Sequence, residues 1–435
     1  MNYHLIQTDS RVISFHPETY AIHVFKDMDA ANTFIAEAHD DRKTVHPTTP
    51  GDSELDIQAA NICMCETCNL ACTYCFFHSG TFDRTGGRML SLETLIDTYH
   101  KLKAHSKSGL KSLGFYGGEP LMNFEVIRDF VEYVEKESDH KISFGVITNG
   151  TLITNEMVDF FNKHKFYVSI SLDGTKKYND KCRIAKNGKS SFDMVMETLK
   201  LLKDKQFLLS SQSTLANDFF RDYKKGTVEE YFSTYYNAGF DNIIPVTADL
   251  KDGYTDQEYE NMKAFFEDVV DYSIDCLLDE NRKYQPPVFI AKMISNLASK
   301  RYEGECQAGR KFVFVTVTGD IYPCQMHYMC DVDKMSCGNE IRKKETMTSR
   351  YDIEECRDCY CKNICAMWCP GGSLVLNSSE KSVIPARCLE QKAILDRIII
   401  RLADVRKDPE MWKKFTANLV DFSLHYSVAN YLGEC

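Results

Sequence analysis

The chain has 435 residues, of which 63 are acidic and 52 basic, for a net charge of -11. A chain of this length buries enough apolar surface to fold without disulfide bonds, and its acidic balance gives no general electrostatic reason to bind nucleic acid or an anionic membrane. Its eighteen cysteines lie at 63–75 and 306–388, except for Cys182, Cys276 and Cys435. No export signal or apolar stretch of about 18 residues is visible, so we expect a cytoplasmic protein whose clustered cysteines bind metal.

Residues 1–45 are predicted to form a small β-hairpin and helix module. The segments RVISFH and YAIHVF are rich in β-branched and aromatic residues, the turn HPET lies between them, and DMDAANTFIAEA has helical spacing. The next stretch, DDRKTVHPTTPGDSELD, is polar and contains Pro47, Pro50 and Gly51. This composition indicates a linker before a new domain that starts near Asp56.

Residues 56–300 are predicted to form a parallel α/β barrel. Short apolar strand candidates alternate with amphipathic helices from SLGFYG to FLLSSQSTL, which implies parallel strands joined by crossover helices. Most glycine-bearing turns follow the strands, at the end of such a barrel where active sites lie. A cysteine-rich domain is expected at 301–395, and the segment AILDRIIIRLADVRK indicates a helical tail over 396–435.

Five cysteines stand within CMCETCNLACTYC, residues 63–75, and only Cys68, Cys72 and Cys75 have the spacing C-x3-C-x2-C. Three thiolates can bind three irons of a 4Fe-4S cluster and leave the fourth iron open to a substrate or cofactor. A zinc or structural site is the alternative. Cys63 and Cys65 are expected to be small buried residues on the first barrel strand, with a role in holding a cluster or a substrate thiol as the alternative.

This motif, with an aromatic residue before its last cysteine, resembles the signature of the radical S-adenosylmethionine (SAM) enzymes. The resemblance implies a partial (β/α)6 TIM-like barrel, an open iron that chelates the amino and carboxylate groups of SAM, and cleavage of SAM to a 5'-deoxyadenosyl radical. The motifs YGGEP, ITNGT and SISLDG follow in the order of that family. The SAM-binding residues that the resemblance implies are Tyr74, Gly117, Gly118, Glu119, Asn149, Ser171, Asp173 and Arg183.

Several of these residues have individual roles in the resembled family. Glu119 is expected to accept hydrogen bonds from the SAM ammonium, Ser171 to lie near the methionyl carboxylate and Asp173 near the ribose. Arg183 matches the arginine of the family's HD-x-x-R element, although Asn179 stands where histidine is usual. An arginine fork suits a carboxylate, and an ordinary surface arginine is the alternative.

The C-terminal cysteines resemble the seven-cysteine SPASM pattern of enzymes that modify peptides and proteins, with every position filled. The resemblance implies two auxiliary 4Fe-4S clusters in addition to the SAM-binding cluster, and zinc ribbons are the alternative. The inner cluster would be held by Cys306, Cys324 and Cys369, and the outer cluster by Cys356, Cys359, Cys365 and Cys388.

Two positions depart from that pattern. Phe312 stands where several members have a fourth inner ligand, so the inner cluster is expected to have an open iron unless Cys330, Cys337 or Cys361 fills it. Anaerobic sulfatase-maturing enzymes carry an aspartate, a proposed base, directly after the second auxiliary cysteine, whereas this chain has Gln325. Glutamine cannot take a proton at neutral pH, which disfavours that activity. The sequence identifies no other general acid or base.

The resemblance therefore implies a maturase that installs a crosslink, most simply a thioether, in a ribosomally made and cysteine-containing precursor peptide. The alternatives are a carbon-carbon crosslink, formylglycine formation in a sulfatase, and a noncatalytic iron-sulfur electron carrier. Reduced flavodoxin or ferredoxin is the expected electron donor. The N-terminal module is expected either to bind the leader by strand addition or to be a plain hairpin packed on the barrel.

Overall fold

The computed structural model describes residues 3–37, 54–82, 87–279, 284–302, 304–344 and 348–426. The predicted linker lies outside the described residues up to Ser53. Among the described helices, none combines the length and hydropathy needed to cross a membrane.

The N-terminal module is a three-stranded antiparallel sheet with one helix. The predicted hairpin is confirmed and a preceding strand, β1, was missed, because its four residues HLIQ, three half-buried and the last exposed, carry little periodic signal. The strands are β1 (His4–Gln7), β2 (Val12–Phe15) and β3 (Ile22–Phe25), and the helix is α1 (Met28–Glu37).

The predicted partial barrel is confirmed, with neighbouring strands parallel throughout. Its six strands within the described residues are β4 (Ala59–Cys63), β5 (Ser112–Tyr116), β6 (Ser143–Thr148), β7 (Tyr167–Ser171), β8 (Leu208–Leu215) and β9 (Asn242–Thr247). The helices between and after them are α2 (Leu92–Ala104), α3 (Phe124–Glu137), α4 (Asn155–Lys163), α5 (Lys176–Cys182), α6 (Ser191–Leu201), α7 (Asn217–Asp222), α8 (Val228–Asn237), α9 (Asp256–Leu278) and α10 (Val288–Ala298).

The barrel core is aromatic and is closed by the amphipathic crossover helices. Phe115, Phe144 and Phe166 form a compact cluster in which every pair of ring centroids is 5.9 to 6.4 Å apart. All three side chains are almost wholly buried, and burial of such rings contributes about 2 kcal/mol each.

The cysteine-rich region extends the barrel sheet. Its first strand pairs parallel with β4, and the next pairs antiparallel with that strand, so the described sheet has eight strands in the order β11-β10-β4-β5-β6-β7-β8-β9. The elements are β10 (Phe312–Val315), β11 (Ile321–Tyr322), α11 (Gln325–Cys330), β12 (Ser336–Cys337), β13 (Glu340–Ile341), α12 (Glu354–Arg357), α13 (Pro370–Asn377), α14 (Pro385–Val405) and α15 (Pro409–Tyr426).

Helix α14 connects the regions that the sequence separates. It runs unbroken across the predicted boundary between 395 and 396, and it packs against α9 of the barrel and against β2 and β3 of the N-terminal sheet. The paired Arg397 and Asp271, 2.6 and 2.7 Å apart at their two contacts, join α14 to α9. The domain limits themselves stay predictions.

Candidate functional site: cysteine groups at the barrel mouth

The loop that carries Cys68, Cys72 and Cys75 leaves the carboxyl end of β4 and packs directly on the Gly117–Gly118 turn after β5. The backbone amide of Gly118 donates a hydrogen bond to the carbonyl oxygen of Cys65 at 3.0 Å. The backbone amide of Glu119 donates to the carbonyl oxygen of Thr67 at 2.9 Å. A Cβ atom on Gly118 would lie 1.9 Å from the carbonyl oxygen of Thr67. The glycines are therefore required for contact with the cysteine loop itself.

The three motif cysteines are half-buried and close to one another. Burial raises the pKa of Cys68 to about 12 and that of Cys72 to about 11, and the charges of Cys72 and Cys75 add to the rise at Cys68. Thiols in such a place need a compensating cation to become thiolates. This donor set fits an iron-sulfur cluster.

The spacing of the sulfur atoms disfavours the zinc alternative. Four thiolates around one zinc, with Zn–S about 2.3 Å, lie about 3.8 Å apart. Among the described residues, no three cysteine Sγ atoms fall within 4.8 Å of one another. The cysteine groups are therefore spread more widely than one tetrahedral ion requires.

Glu119 lies under the cysteine loop and has no exposed surface. Its carboxylate accepts hydrogen bonds from the Thr148 hydroxyl at 2.7 Å and from the amides of Asn149 at 2.8 Å and Leu121 at 3.1 Å. Burial nevertheless raises its pKa from 4.5 to about 7. The carboxylate thus ties the turn after β5 to the end of β6, and its contact with the SAM ammonium stays a prediction.

Asn149, after β6, connects its own turn to the cysteine loop. Its side-chain amide donates to Asn69 Oδ1 at 2.8 Å and lies 3.7 Å from the sulfur of Cys68. Its carbonyl oxygen accepts from the amide and the hydroxyl of Thr151. The ITNGT motif is therefore part of the same site as the cysteine motif.

Asp173 and Arg183 form a buried ion pair beside the cysteine loop. Arg183 Nη2 donates to Asp173 Oδ1 at 3.0 Å, and its Nε lies 2.9 Å from Oδ2. The Tyr74 hydroxyl donates to the same carboxylate, and the Thr214 amide donates to it at 2.8 Å. The guanidinium also lies 5.5 Å from the Tyr74 ring centroid. Arg183 is only 8% exposed, so the surface-arginine alternative is wrong.

The pairing with Asp173 occupies the hydrogen-bond donors of Arg183 that were expected to bind a ligand. The guanidinium group of Arg183, which was expected to bind a ligand carboxylate, is paired with Asp173 instead. Asn179, which replaces the usual histidine, accepts from the Asp173 amide at 3.1 Å and donates to Ser191 at 2.9 Å. Ser171 ends β7, half-buried, two residues before Asp173.

Cys63 and Cys65 are buried, as expected. The thiol of Cys63 donates to the carbonyl of Cys65 at 3.5 Å, and the thiol of Cys65 donates to the carbonyl of Glu119 at 3.1 Å. Both side chains therefore support the turn beneath the site.

The predicted inner cysteines meet in space although 63 residues separate the first from the last. Burial raises the pKa of Cys324, and the charges of Cys306 and Cys369 raise it further. The opposing positive charges of Arg310 and Lys344 act on Cys306. Gly371 lets the helix after Cys369 approach, since a Cβ atom there would lie 3.0 Å from the Cys324 sulfur.

The predicted outer cysteines form a second, separate group. Burial raises the pKa of Cys356 to about 12, and the charges of Cys365, Cys388 and Cys359 contribute. Cys361 is buried next to this group and hydrogen bonds to Cys359, which lowers the pKa of Cys359 to about 6. Cys361 is thus placed at the outer group and not at the inner one.

The other two candidates for a fourth inner ligand, Cys330 and Cys337, differ in location and exposure. Cys330 ends α11 and its pKa is raised by burial alone, while Cys337 is exposed on β12. Phe312 is buried on β10.

The N-terminal sheet contacts α14 and the segment around the outer cysteines. The His4 ring stacks on Tyr360 with centroids 3.5 Å apart, between Cys359 and Cys361 in sequence. The Tyr20 hydroxyl donates to the carbonyl of Asn363 at 2.7 Å. The two predicted roles of this module, leader binding and a hairpin packed on the barrel, stay predictions.

Sequence reasoning also missed a buried polar connection between the two halves of the site. Glu66, two residues before Cys68, is wholly buried and binds Arg88 Nη2 at 2.8 Å. It also accepts a hydrogen bond from Tyr328, which lies on α11 four residues after Cys324. The spacing of Tyr328 from Cys324 by about one helical turn is the only sequence signal for this contact.

Residues 62–216 match the model of the radical SAM superfamily. Residues 62–216 therefore form a radical SAM domain. This domain and the relatives named as sulfatase-maturating enzymes indicate an enzyme, and the matched span holds the cysteine loop, the Gly117–Gly118 turn and the Asp173–Arg183 pair.

Two relatives of this radical SAM enzyme differ in how much they share with it. The cysteine-type anaerobic sulfatase-maturating enzyme of Clostridium novyi is 36% identical over 140 residues, which is 31% of this chain and 37% of the relative. The radical SAM cyclopropyl synthase TigE of Paramaledivibacter caminithermalis is 24% identical over 365 residues, 79% of this chain and 74% of the relative.

Solved structures share the fold over most of the radical SAM enzyme. The enzyme anSMEcpe with bound AdoMet superposes with a TM-score of 0.66 at 19% identity, covering 82% of this chain and 98% of that one. Streptococcus suis SuiB bound to its precursor peptide SuiA superposes with a TM-score of 0.53 at 15% identity, covering 88% and 98%.

Proposed function

We propose that the chain is a radical SAM/SPASM maturase that acts on a ribosomally made peptide. The proposal rests on one observation above all: the cysteines fall into three spatial groups, one at the barrel mouth and two in the C-terminal region. We infer that Cys68, Cys72 and Cys75 hold a SAM-binding 4Fe-4S cluster. The inner and outer groups would each hold an auxiliary 4Fe-4S cluster.

When bound, the reduced cluster and SAM supply a 5'-deoxyadenosyl radical, and an auxiliary cluster supplies a place for a substrate thiolate or for the surplus electron. The chain's own residues position these groups. Asp173, whose carboxylate is paired with Arg183 and Tyr74, is the proposed contact for the ribose, as the family resemblance implies. Asn149 hydrogen bonds to Asn69 of the cysteine loop and so holds the ITNGT turn against it.

A thioether is the favoured product, from a substrate cysteine to the carbon of another residue. The substrate would then lose two hydrogens, one as an atom that converts the deoxyadenosyl radical to deoxyadenosine and one as a thiol proton, and an auxiliary cluster would accept the remaining electron. Gln325 cannot act as the base that formylglycine formation requires. The similarity to TigE, named as a cyclopropyl synthase, keeps a carbon-carbon bond as the second candidate.

The substrate is proposed to be a cysteine-containing precursor peptide. SuiB, whose fold is similar, is named as bound to a precursor peptide, and a peptide is also bound in an anSMEcpe structure. The small N-terminal sheet has two edge strands, β1 and β3, at which a leader could add a strand. Reduced flavodoxin or ferredoxin is the proposed electron donor.

The experiment is an anaerobic incubation of the reconstituted protein with SAM, a reductant and a cysteine-bearing peptide encoded beside its gene. A thioether gives a mass loss of about two hydrogens and a cysteine that no longer reacts with iodoacetamide. The same mass loss with a cysteine that still reacts supports the carbon-carbon product and contradicts the thioether. Aldehyde formation on a sulfatase-derived peptide would support the sulfatase-maturing activity instead.

A noncatalytic electron carrier explains the cysteines but not the other residues of the site. It needs neither the glycine turn against the cysteine loop nor the Asp173–Arg183 pair beside it. Formation of deoxyadenosine separates the two classes, because a carrier does not cleave SAM.

A further inference from the structure

The side chain of His327 bridges the sulfur of an inner cysteine and the half-buried carboxylate of Glu380. Its Nδ1 lies 3.1 Å from Cys324 Sγ, and its Nε2 lies 2.6 Å from Glu380 Oε1. The imidazole is 2% exposed and stands on α11, one turn after Cys324. Its two ring nitrogens therefore face the two partners from one fixed position.

Lys344 and Thr348 hold the far end of this bridge. The ammonium of Lys344 lies 3.0 Å from His327 Nε2 and also donates to Glu380. Thr348 donates to the other oxygen of Glu380 at 2.5 Å. Burial alone would raise the pKa of Glu380, but the hydrogen bonds from His327, Lys344 and Thr348 lower it to about 2. The carboxylate therefore stays charged.

Two other roles for this cluster fit the contacts less well. His327, Asp333 and Glu380 have ligand atoms close enough for one metal ion, but the Lys344 ammonium already lies within 3.2 Å of Asp333 and contacts the other two. A histidine on the open iron would bind a different iron from Cys324. A nitrogen 3.1 Å from that sulfur is at hydrogen-bonding distance and too near for a second iron's ligand.

We propose that His327 is a positioning residue that donates an Nδ1–H hydrogen bond to Cys324 and thereby raises the reduction potential of the inner auxiliary cluster. This rests on the proposed assignment of Cys306, Cys324 and Cys369 to that cluster. A metal-bound thiolate has no proton to give, so the hydrogen between the two atoms must come from Nδ1. Nε2 lies 2.6 Å from Glu380 Oε1 and 3.0 Å from the Lys344 ammonium, so it has polar partners of its own while Nδ1 faces the sulfur.

The electrostatic consequence has a definite sign. A donor on a cluster sulfur stabilises the more negative, reduced state and raises the potential. Arg310 and Lys344 add positive charge near Cys306 in the same sense. The inner cluster thus gains affinity for an electron from the substrate.

The test compares His327→Phe, His327→Gln and His327→Asn in the full-length chain. Asparagine places an N–H near the position of Nδ1, whereas glutamine places it near Nε2 and phenylalanine has none. Each variant also carries Cys68→Ala, Cys72→Ala and Cys75→Ala, so that the EPR signals are those of the auxiliary clusters alone. The exposed His100 of α2, changed to Phe, is the matched control.

In the Phe and Gln variants we expect a lower midpoint potential for one of the two auxiliary-cluster EPR signals. The Asn variant and the His100→Phe control should keep the midpoint potential of the chain that carries only the three cysteine substitutions. The reduced cluster should also lose one exchangeable-proton coupling by ENDOR in the Phe variant. The inference is overturned if both clusters assemble and no potential moves, or if Asn and Gln shift it equally. A wild-type chain that cleaves SAM but holds no inner cluster also overturns it, whereas absence of SAM cleavage with both auxiliary clusters present contradicts only the proposed function.

Discussion

Arg183 and Asp173 are paired through two guanidinium nitrogens in a site where their side chains are only 9% and 2% exposed. Removing one partner of such a pair leaves an uncompensated buried charge, which costs about 3 to 5 kcal/mol. We therefore expect Arg183→Met to lower the free energy of unfolding by about that amount and to abolish detectable SAM cleavage. Denaturant unfolding and a deoxyadenosine assay measure the two effects.

Two further variants separate stability from function at this pair. The double variant Arg183→Met, Asp173→Asn should recover most of the stability but not the SAM cleavage, because the carboxylate edge is gone. Arg128→Met removes an arginine whose ion pairs on α3 are exposed, and should cost at most about 1 kcal/mol. Full SAM cleavage by Arg183→Met would contradict a role for the pair in the site.

Glu119 predicts a pH dependence of stability. Its pKa of about 7 in the folded chain exceeds its ordinary 4.5, so between these values the folded state binds more protons than the unfolded state. The free energy of unfolding should then fall as pH rises from about 4.5 to about 7, by roughly 3 kcal/mol, and level off above.

Glu119→Gln should lose this pH dependence, because glutamine does not titrate. The difference in free energy of unfolding between wild type and variant should therefore change between pH 4.5 and 7. It should also be less stable, because an amide cannot accept all three hydrogen bonds that the carboxylate accepts, a loss of about 1 to 3 kcal/mol. Parallel wild-type and variant curves from pH 4.5 to 7 would show that burial does not shift this carboxyl.

The Gly118 turn predicts a steric effect. A methyl group there would overlap the carbonyl of Thr67, and backbone cannot move aside as a flexible side chain can. Gly118→Ala should therefore displace the cysteine loop and reduce iron bound at Cys68, Cys72 and Cys75. Gly304→Ala is the matched control, since nothing lies within 4 Å of a Cβ atom there. Iron and sulfide analysis after reconstitution measures the effect, and equal iron in both variants would contradict it.

Asn363 predicts a link between the N-terminal sheet and the outer cysteines. Its side chain is buried, donates to Pro17 at 3.0 Å and Glu18 at 2.9 Å, and accepts from Tyr351 at 2.7 Å. Asn363→Ala should destabilise the chain by about 1 to 3 kcal/mol and speed loss of iron from the outer group in air. Asn377→Ala, at an exposed asparagine bond to Ser382, is the control. Unchanged iron loss in Asn363→Ala would separate the sheet from that cluster.

Much of the fold and of the candidate site could be predicted from patterns that are local in the sequence. The spacing of Cys68, Cys72 and Cys75 and the glycine turns are local in sequence, and hydrophobic periodicity located the barrel strands and helices. The grouping of the later cysteines came from their resemblance to a known pattern.

Contacts between distant segments could not be predicted in the same way. The pairing of β10 with β4 joins residues about 250 positions apart. Arg183 was expected to bind a ligand carboxylate because it matches the family's HD-x-x-R element, whereas its pairing with Asp173 depends on how two turns fold against each other. The bridge at His327 uses residues 327, 344 and 380, which share no motif. Strand β1 is too short for alternation to stand out.

The most direct test of the proposed function is deoxyadenosine formation by the reconstituted chain under strictly anaerobic, reducing conditions. We expect cleavage of SAM by the wild-type chain, none by Cys68→Ala, and retained cleavage by Cys356→Ala, whose sulfur belongs to the outer group. Iron near three clusters, about twelve atoms per chain, should accompany the wild-type activity. Absence of deoxyadenosine from a wild-type sample with intact reduced clusters would contradict the proposed function.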